Sequence, residues 1–239
     1  MKSFYILAFI LTSTSITIAQ QISGPQLLDK TIQYHDPQGH WPTFNDTLNI
    51  TMTMPESNAR NSQIVINLPK EYFSVTAKKD TVTTQYTIIK DSCTISLNGN
   101  KKLTNKQLKS NNLSCDRAML YKNYYTYLYG LPMKLKDKGT IISPEAKTVN
   151  FKGKTYLQLQ VNYNAEVGKD IWYFYFNPKT YAMEMYQFYK TDSIGQVDTN
   201  TGEYIILNDI KTVNGIKIPK VRTWYYNKDD KYLATDNLN

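Results

Sequence analysis

The segment from Lys154 to Lys190 has the clearest alternation of apolar and polar positions in the chain. Every second residue of its first part is apolar: Leu157, Leu159, Val161 and Tyr163. This period of two is typical of a strand with one apolar face. Two more strand-like runs follow at 171–176 and 181–190, and the turn sequence Asn177-Pro178-Lys179-Thr180 separates them. The pattern predicts three consecutive antiparallel strands.

The same alternation predicts strands on both sides of this segment. They cover residues 48–54, 63–68, 72–78, 82–90, 93–97, 148–151, 202–207, 216–226 and 232–238. With the three runs above they make twelve strand-like runs, and we expect about ten or eleven of them to form separate strands. Because strands and helices do not alternate, the sheet should be antiparallel and the fold class α+β.

Two segments have a helical period instead. Pro25 to His35 places its leucines on one side of a short amphipathic helix. Ser114 is a suitable N-cap for a second helix in the middle of the chain, and Gly130 is positioned to end it as a C-cap. Tyrosines surround this second helix, so we expect it to be covered on both sides or to lie over an opening.

The residues after the second helix, 130–144, have no regular pattern. We predict a loop in which Leu131, Met133 and Leu135 are exposed. Together with the tyrosine-rich helix, this loop is the natural lid for the concave face of the sheet.

The first twenty residues have the pattern of a secretory signal peptide. Lys2 precedes an apolar run from Phe4 to Leu11, and small residues lead to Ala19. The apolar run is too short to cross a bilayer. We expect cleavage after Ala19 or Gln20, which leaves a single domain over 21–239. With no cysteine at the junction for a lipid anchor and no later apolar span, we predict a periplasmic or secreted protein.

The formal net charge of +8 is spread along the chain. Its only basic clusters, at 101–109 and 134–138, are not combined with an RNA-reading motif. We therefore expect no nucleic-acid partner. Transient contact with an anionic membrane surface is compatible with this charge, at about 1 kcal/mol for each basic residue near the surface. We also expect a monomer without a cofactor.

Cys93 and Cys115 are the two cysteines of the chain. In an exported protein such a pair indicates one disulfide, worth about 3 kcal/mol in the chain-entropy model. Two separate buried thiols are the alternative. Two thiols alone make a poor metal site.

Several segments resemble known bacterial envelope proteins. The first helix leading to Trp41 and Phe44, the turn NPKTYAME (177–184) and the hairpin NDIKTVNGIKIPKVRTWY (208–225) are similar to the lipoprotein-localisation-factor (LolA/LolB-like) superfamily. A closer resemblance, to an uncharacterised family of exported bacterial proteins, is carried by HDPQGHW, NYYTYLYGLPMKLKD, WYFYFNPKTY and GEYIIL. Both resemblances imply an incomplete β-barrel wrapped around an N-terminal helix and a central helical insertion.

The resemblance to the carriers also implies an internal cavity for a lipid, an acyl chain or another small hydrophobic molecule. The apolar face is rich in aromatic residues and in methionine, which adapts to ligands of variable shape. The predicted ligand-binding residues are Trp41, Phe44, Met52, Met54, Met119, Tyr124, Leu131, Met133, Trp172, Phe174, Met183 and Met185. In the strand 171–176, Tyr173 and Tyr175 are the alternative inward-facing pair.

Two other functions remain open at this point. A carbohydrate-binding module would use exposed tyrosines and tryptophans as stacking surfaces. A hydrolase or metal enzyme would centre on His35 and His40, with Asp36 and Asp46 nearby. The chain has no helical HExxH spacing, no Gly-x-Ser-x-Gly, no Cys–His pair and no phosphate-binding loop. We therefore predict a binding protein rather than an enzyme.

Overall fold

A computed structural model of the chain describes residues 22–192 and 194–239. The predicted signal peptide at 1–20 lies outside these residues. The α-helices are α1 (Gly24–His35), α2 (Asn105–Ser110) and α3 (Cys115–Gly130), and two short 3-10 helices cover Trp41–Thr43 and Met133–Lys136. The strands are β1 (Asn45–Met54), β2 (Ser57–Asn67), β3 (Tyr72–Lys79), β4 (Val82–Ile89), β5 (Ser92–Leu97), β6 (Thr140–Ile142), β7 (Lys147–Phe151), β8 (Lys154–Tyr163), β9 (Ile171–Phe176), β10 (Met183–Tyr189), β11 (Glu203–Val213), β12 (Ile216–Tyr226) and β13 (Tyr232–Leu238).

All the strands belong to one antiparallel sheet in the order β5-β4-β3-β2-β1-β13-β12-β11-β10-β9-β8-β6, with β7 paired to β8. The end strands β5 and β6 do not pair with each other in the described chain, so the barrel is open. The predicted α+β class and incomplete antiparallel barrel are confirmed. The sheet has 13 strands rather than ten or eleven. The short β6 was missed because three residues are too few to show an alternation.

Local signals explain the helix boundaries. A capping box between Ser23 and Gln26 starts α1. The Ser114 side chain accepts a hydrogen bond from the Arg117 backbone N–H at 3.1 Å and starts α3, as predicted. Gly130, however, is the last residue of α3 and not its C-cap, which is Leu131. A Cβ at Gly130 would overlap the Trp41 ring, so the glycine permits close packing rather than a left-handed turn.

The prediction of an exposed loop after α3 is wrong for its apolar residues. Leu131, Met133 and Leu135 are buried. The 3-10 helix over Met133–Lys136 turns Met133 and Leu135 inward, whereas Lys136 is exposed. The loop therefore contributes to the core instead of offering an apolar surface to solvent.

The sheet carries aromatic clusters on both faces. Trp172, Phe174 and Phe176 face inward and join the main core, and Phe44 and Leu27 pack in the same core. A second cluster on the outer face contains Tyr156, Tyr175, Met185 and Tyr204. The parity of β9 is thereby assigned, with Tyr173 and Tyr175 on the outer side.

Met183 and Met185 do not share a face, which corrects the expectation that both lie inside. The pairing register between β9 and β10 shifts between these two residues, so a bulge turns the strand. Met183 packs in the main core, and Met185 belongs to the outer cluster. Across residues 22–192 and 194–239, the helices are all too short or too polar to span a bilayer.

Candidate ligand-binding site beneath helix α3

A row of opposed residues crosses the inner face of the sheet beneath α3. Arg60 on β2 pairs with Met52 on β1, Met52 with Asp236 on β13, and Asp236 with Arg222 on β12. Directly opposed residues project from the same face of a sheet. The row therefore places one carboxylate between two guanidinium groups, with Asp236 and Arg222 buried and Arg60 partly exposed at its end.

Helix α3 lies over this row and is bonded to it at two points. Arg222 Nη2 donates to the Leu128 carbonyl at 3.3 Å, and Arg60 Nη2 donates to the Tyr125 hydroxyl at 3.3 Å. The Arg222 guanidinium also stacks on the Tyr129 ring, 4.0 Å from its centroid. The N-terminal end of α3 is tied to β5 by a disulfide between Cys93 and Cys115, which confirms the predicted bond.

Several polar atoms beneath α3 have no hydrogen-bond partner within the described residues. They are Arg222 Nε, Asp236 Oδ1, Trp224 Nε1 and the hydroxyls of Tyr129 and Tyr186, and Arg60 Nε at the end of the row is a further one. Arg222, Tyr129, Tyr186 and Asp236 are each at most 3% exposed, and Trp224 is 7% exposed. We call these five residues the polar cluster. Buried polar atoms are bonded in most proteins, so the cluster is an exception concentrated in one place.

Burial dominates the electrostatics of the polar cluster. It raises the pKa of Asp236, while Arg222 and then Arg60 act in the opposite direction. Burial also raises the pKa of Tyr129 and of Tyr186, and Asp236 adds to the rise in both. Arg222 acts to lower the pKa of both tyrosines, and at Tyr186 it also acts through a side-chain hydrogen bond, which leaves the hydroxyl proton of Tyr186 available to another acceptor.

A pocket of about 610 Å³ opens beside α3 at the edge of the sheet. Tyr127 of α3, Tyr163 of β8 and Trp172 of β9 line it with aromatic surface. The hydroxyls of Tyr127 and Tyr163 are hydrogen-bonded to each other. Three lysines and three acidic residues also line the pocket: Lys122, Lys134, Lys138, Asp137, Glu166 and Asp170.

A chain of ring contacts runs from the pocket to the polar cluster. The centroids of Tyr127 and Trp172 are 5.6 Å apart, those of Trp172 and Tyr186 are 6.1 Å apart, and those of Tyr186 and Trp224 are 6.2 Å apart. Tyr124 stacks on Trp224 at 6.4 Å. The pocket and the cluster are therefore two ends of one aromatic zone beneath α3.

Comparison with known proteins adds a family and a fold. The model of a family of unknown function, DUF6503, matches residues 1–238. The chain belongs to the DUF6503 family. This agrees with the resemblance to an uncharacterised family. No curated protein matches the sequence of this DUF6503 member.

Solved structures support the fold of the DUF6503 chain. A LolA superfamily protein from Nitrosomonas europaea is 9% identical, with a TM-score of 0.50, and the alignment covers 91% of this chain and 92% of that one. A DUF1329 family protein from Desulfovibrio piger is 6% identical with a TM-score of 0.45, covering 90% and 91%. MucB in complex with MucA(peri) is 7% identical with a TM-score of 0.25, covering 90% and 94%. The first likeness supports a LolA-like open barrel; the other two are too weak to add to it.

The predicted ligand-binding residues fall into several environments. Trp172 lines the pocket, and Met52 and the exposed Tyr124 lie beside the polar cluster. Six are buried in the main core: Trp41, Phe44, Leu131, Met133, Phe174 and Met183. Met54 and Met119 are exposed, and Met185 is on the outer face.

The two histidines of the DUF6503 chain are tied to backbone groups. His35 is fully buried, its Nδ1 lies 2.6 Å from the Lys217 carbonyl, and its Nε2 accepts from the Met183 N–H at 2.9 Å. Burial lowers the pKa of His35 to about 4, so the ring is neutral at pH 7. His40 Nδ1 lies 3.1 Å from the Asn214 carbonyl. The described residues contain no group of three or more His, Cys, Asp or Glu arranged to hold a metal.

Sequence reasoning missed Arg222 and Asp236, although a signal was present. Asp236 lies two residues from both Ala234 and Leu238, and Arg222 lies two residues before Trp224. Period two therefore assigns both charges to the apolar face of their strands. Burying a charge costs free energy unless the charge is paired or has a function. The two residues could therefore have been predicted as candidate site residues.

Proposed function

We propose that this protein is an exported, non-enzymatic binding protein that holds a lipid or another hydrophobic ligand beneath α3. The observation that carries the proposal is the pocket of about 610 Å³, whose aromatic surface continues along the rings under α3 into the barrel. A volume of this size is in the range of small-molecule sites. The LolA-like fold supports a ligand of this class, since the resemblance to that superfamily implies a cavity for acyl chains.

Binding would be driven by the removal of apolar surface from water, at about 25 cal/mol per Å². An acyl chain in the pocket would contact Trp172 and Tyr127 directly. To go deeper it must displace the side chains that now fill the barrel, because Phe174 and Met183 are at most 2% exposed. Helix α3 and the 3-10 helix after it form the roof that would shift.

The surroundings of His35 support binding rather than hydrolysis. Both ring nitrogens of His35 are occupied by backbone groups, which leaves neither for proton transfer or for a metal. Export is supported by the signal-peptide pattern at 1–20. A general attraction of the pocket mouth to an anionic membrane is not supported, because its three lysines are balanced by three acidic residues.

The outer tyrosine cluster was the natural site for the carbohydrate-binding alternative. Tyr175 and Tyr204 are at most 4% exposed. Their hydroxyls bond to Gln187 and Lys152. Such rings are poorly placed to stack on a sugar, and the cluster is better explained as a second small core.

The proposal is tested by placing a charge in the pocket. Trp172→Glu should reduce the uptake of a fluorescent fatty acid at least tenfold, because it puts a carboxylate against the acyl chain. Tyr173→Glu is the matched control, since its side chain lies on the opposite face of the same strand. It should bind normally. Circular dichroism and thermal melting establish that both variants are folded.

Two results would contradict the proposal. The first is normal uptake by a folded Trp172→Glu variant. The second is a wild-type protein that takes up no fatty acid, phospholipid or isoprenoid probe.

A further inference from the structure

We infer that the polar cluster holds the head group of an amphiphilic ligand, and that this head group is a carboxylate. This inference rests on the proposed function and makes it more specific, because it names the ligand class as fatty acids or similar monocarboxylates. The apolar chain would extend along the rings under α3 to the pocket at the edge of the sheet.

Buried polar atoms without a hydrogen-bond partner are concentrated beneath α3. Tyr129, Tyr186, Trp224, Arg222 and Asp236 come from α3, β10, β12 and β13, and each has a buried polar atom without a partner among the described residues. Isolated orphans of this kind are costly. Four of the five can donate to one acceptor group beneath α3, and Asp236 can join them only in its protonated form, which its burial favours.

Most of these atoms are hydrogen-bond donors. Arg222 Nε and Trp224 Nε1 can only donate, and a tyrosine hydroxyl donates readily to an anion. Asp236 Oδ1 is the single atom of the cluster that can only accept when it is ionised. Four donors against one acceptor favour a ligand group rich in acceptor oxygens.

The charged side chains around the polar cluster do not cancel. Arg222 and Arg60 lie on either side of Asp236 in the row across β2, β1, β13 and β12, which leaves one positive charge in excess. Glu203 is the other acid that raises the pKa of Tyr186. Burial raises the pKa of Glu203 in turn, and the positive charge of Lys190 acts against that rise. A monoanion matches that excess. A phosphate dianion would place two negative charges beside Asp236, which is unfavourable.

The position of the cluster fits an amphiphile. The guanidinium of Arg222 is held by the carbonyls of Pro219 and Leu128, at 2.9 Å and 3.3 Å, and by the Tyr129 ring. It is therefore oriented before any ligand arrives. The Tyr186 ring contacts both Trp172 at the pocket and Trp224 in the cluster. A ligand whose head lies at Arg222 would thus have its chain among aromatic rings.

The test compares palmitic acid with methyl palmitate, which has the same chain but no charge. Titration calorimetry at pH 8 should give the acid at least tenfold higher affinity for the wild-type protein. In the double variant Tyr129→Phe/Tyr186→Phe this preference should fall about tenfold, since two donors to the carboxylate are lost. Tyr175→Phe on the outer face is the matched control and should retain the full preference.

Three outcomes would overturn the inference or the proposal beneath it. Equal affinity of the wild type for acid and ester would refute the head-group site while leaving the proposed function intact. A folded double variant that keeps the full preference for the acid would refute the role of the two hydroxyls. If neither compound binds, the proposed function itself fails.

Discussion

Two clusters of tyrosines on opposite faces of one sheet differ in how their hydroxyls are used. On the outer face, the Tyr175 hydroxyl donates to Gln187 Oε1 at 2.6 Å, and Lys152 Nζ donates to the Tyr204 hydroxyl at 2.6 Å. On the inner face, the Tyr129 hydroxyl has no partner among the described residues, and the Tyr186 hydroxyl has the Arg222 guanidinium beside it, although both side chains are buried.

The contrast separates a structural role from a functional one. The outer cluster is a closed network, because Gln187 also bonds Tyr189 and Asn227. Phe151, at the end of β7, packs against the Tyr175 and Tyr204 rings. Nothing in it calls for a ligand. The inner cluster has donors in excess, and in our account a ligand completes it.

The largest expected difference in stability between the two faces comes from removing one positively charged side chain on each of them. Arg222→Met should destabilise the protein by about 3–5 kcal/mol, because it removes the charged donors to the buried carbonyls of Pro219 and Leu128 and the positive charge that opposes the rise in the pKa of Asp236. Lys152→Met on the outer face should cost about 1–2 kcal/mol, because its ion pair with Asp230 is exposed to solvent and adds little, whereas the buried Tyr204 hydroxyl would lose its donor. Urea denaturation of both variants measures the difference. Equal losses of stability would show that removing a positive charge from the inner face costs no more than removing one from the outer face.

A second prediction concerns His35, the inner polar side chain that is fully partnered. Its pKa is lowered by burial from 6.5 to about 4. As the pH falls, His35 is therefore protonated in the unfolded chain at a higher pH than in the folded protein. Stability from this group is complete above pH 6.5 and declines by about 3 kcal/mol towards pH 4.

The measurement is the free energy of unfolding of wild type and His35→Gln at several pH values between 7 and 4. The wild type should lose about 3 kcal/mol more than the variant over this range. His40→Gln is the control, because that ring is partly exposed, and it should behave like the wild type. Parallel curves for wild type and His35→Gln would contradict the prediction.

The smallest expected effect tests the two faces most directly. Tyr175→Phe should cost about 1 kcal/mol, because it removes a hydroxyl that is bonded to Gln187. Tyr129→Phe should cost nothing or stabilise the ligand-free protein slightly, because its hydroxyl has no partner in the described chain. Thermal or urea unfolding of the two variants in lipid-free buffer decides between them. A loss at Tyr129 as large as that at Tyr175 would mean that its hydroxyl is bonded in the folded protein.

The repeating parts of this fold could be predicted from the sequence, and the irregular parts could not. Alternation located the longer strands, and the N-cap at Ser114 located α3. The three-residue β6 is shorter than any periodic signal. The bulge between Met183 and Met185 reverses a face without leaving a mark in the residue types.

The candidate site shows the same limit. Trp172 was predicted because it stands out in an aromatic strand, and it lines the pocket. Arg222 and Asp236 were missed because a single sequence does not show that two distant charges are neighbours across β12 and β13. Their pairing is a property of the register, which depends on the whole sheet.

The most direct test of a ligand beneath α3 is native mass spectrometry of the protein, purified without detergent from the cells that naturally make it. The account predicts an added mass that lipid extraction identifies as a fatty acid or a related monocarboxylate, present in wild type and Tyr173→Glu but absent from Trp172→Glu. An unliganded wild-type protein that also fails to take up added palmitic acid would contradict it.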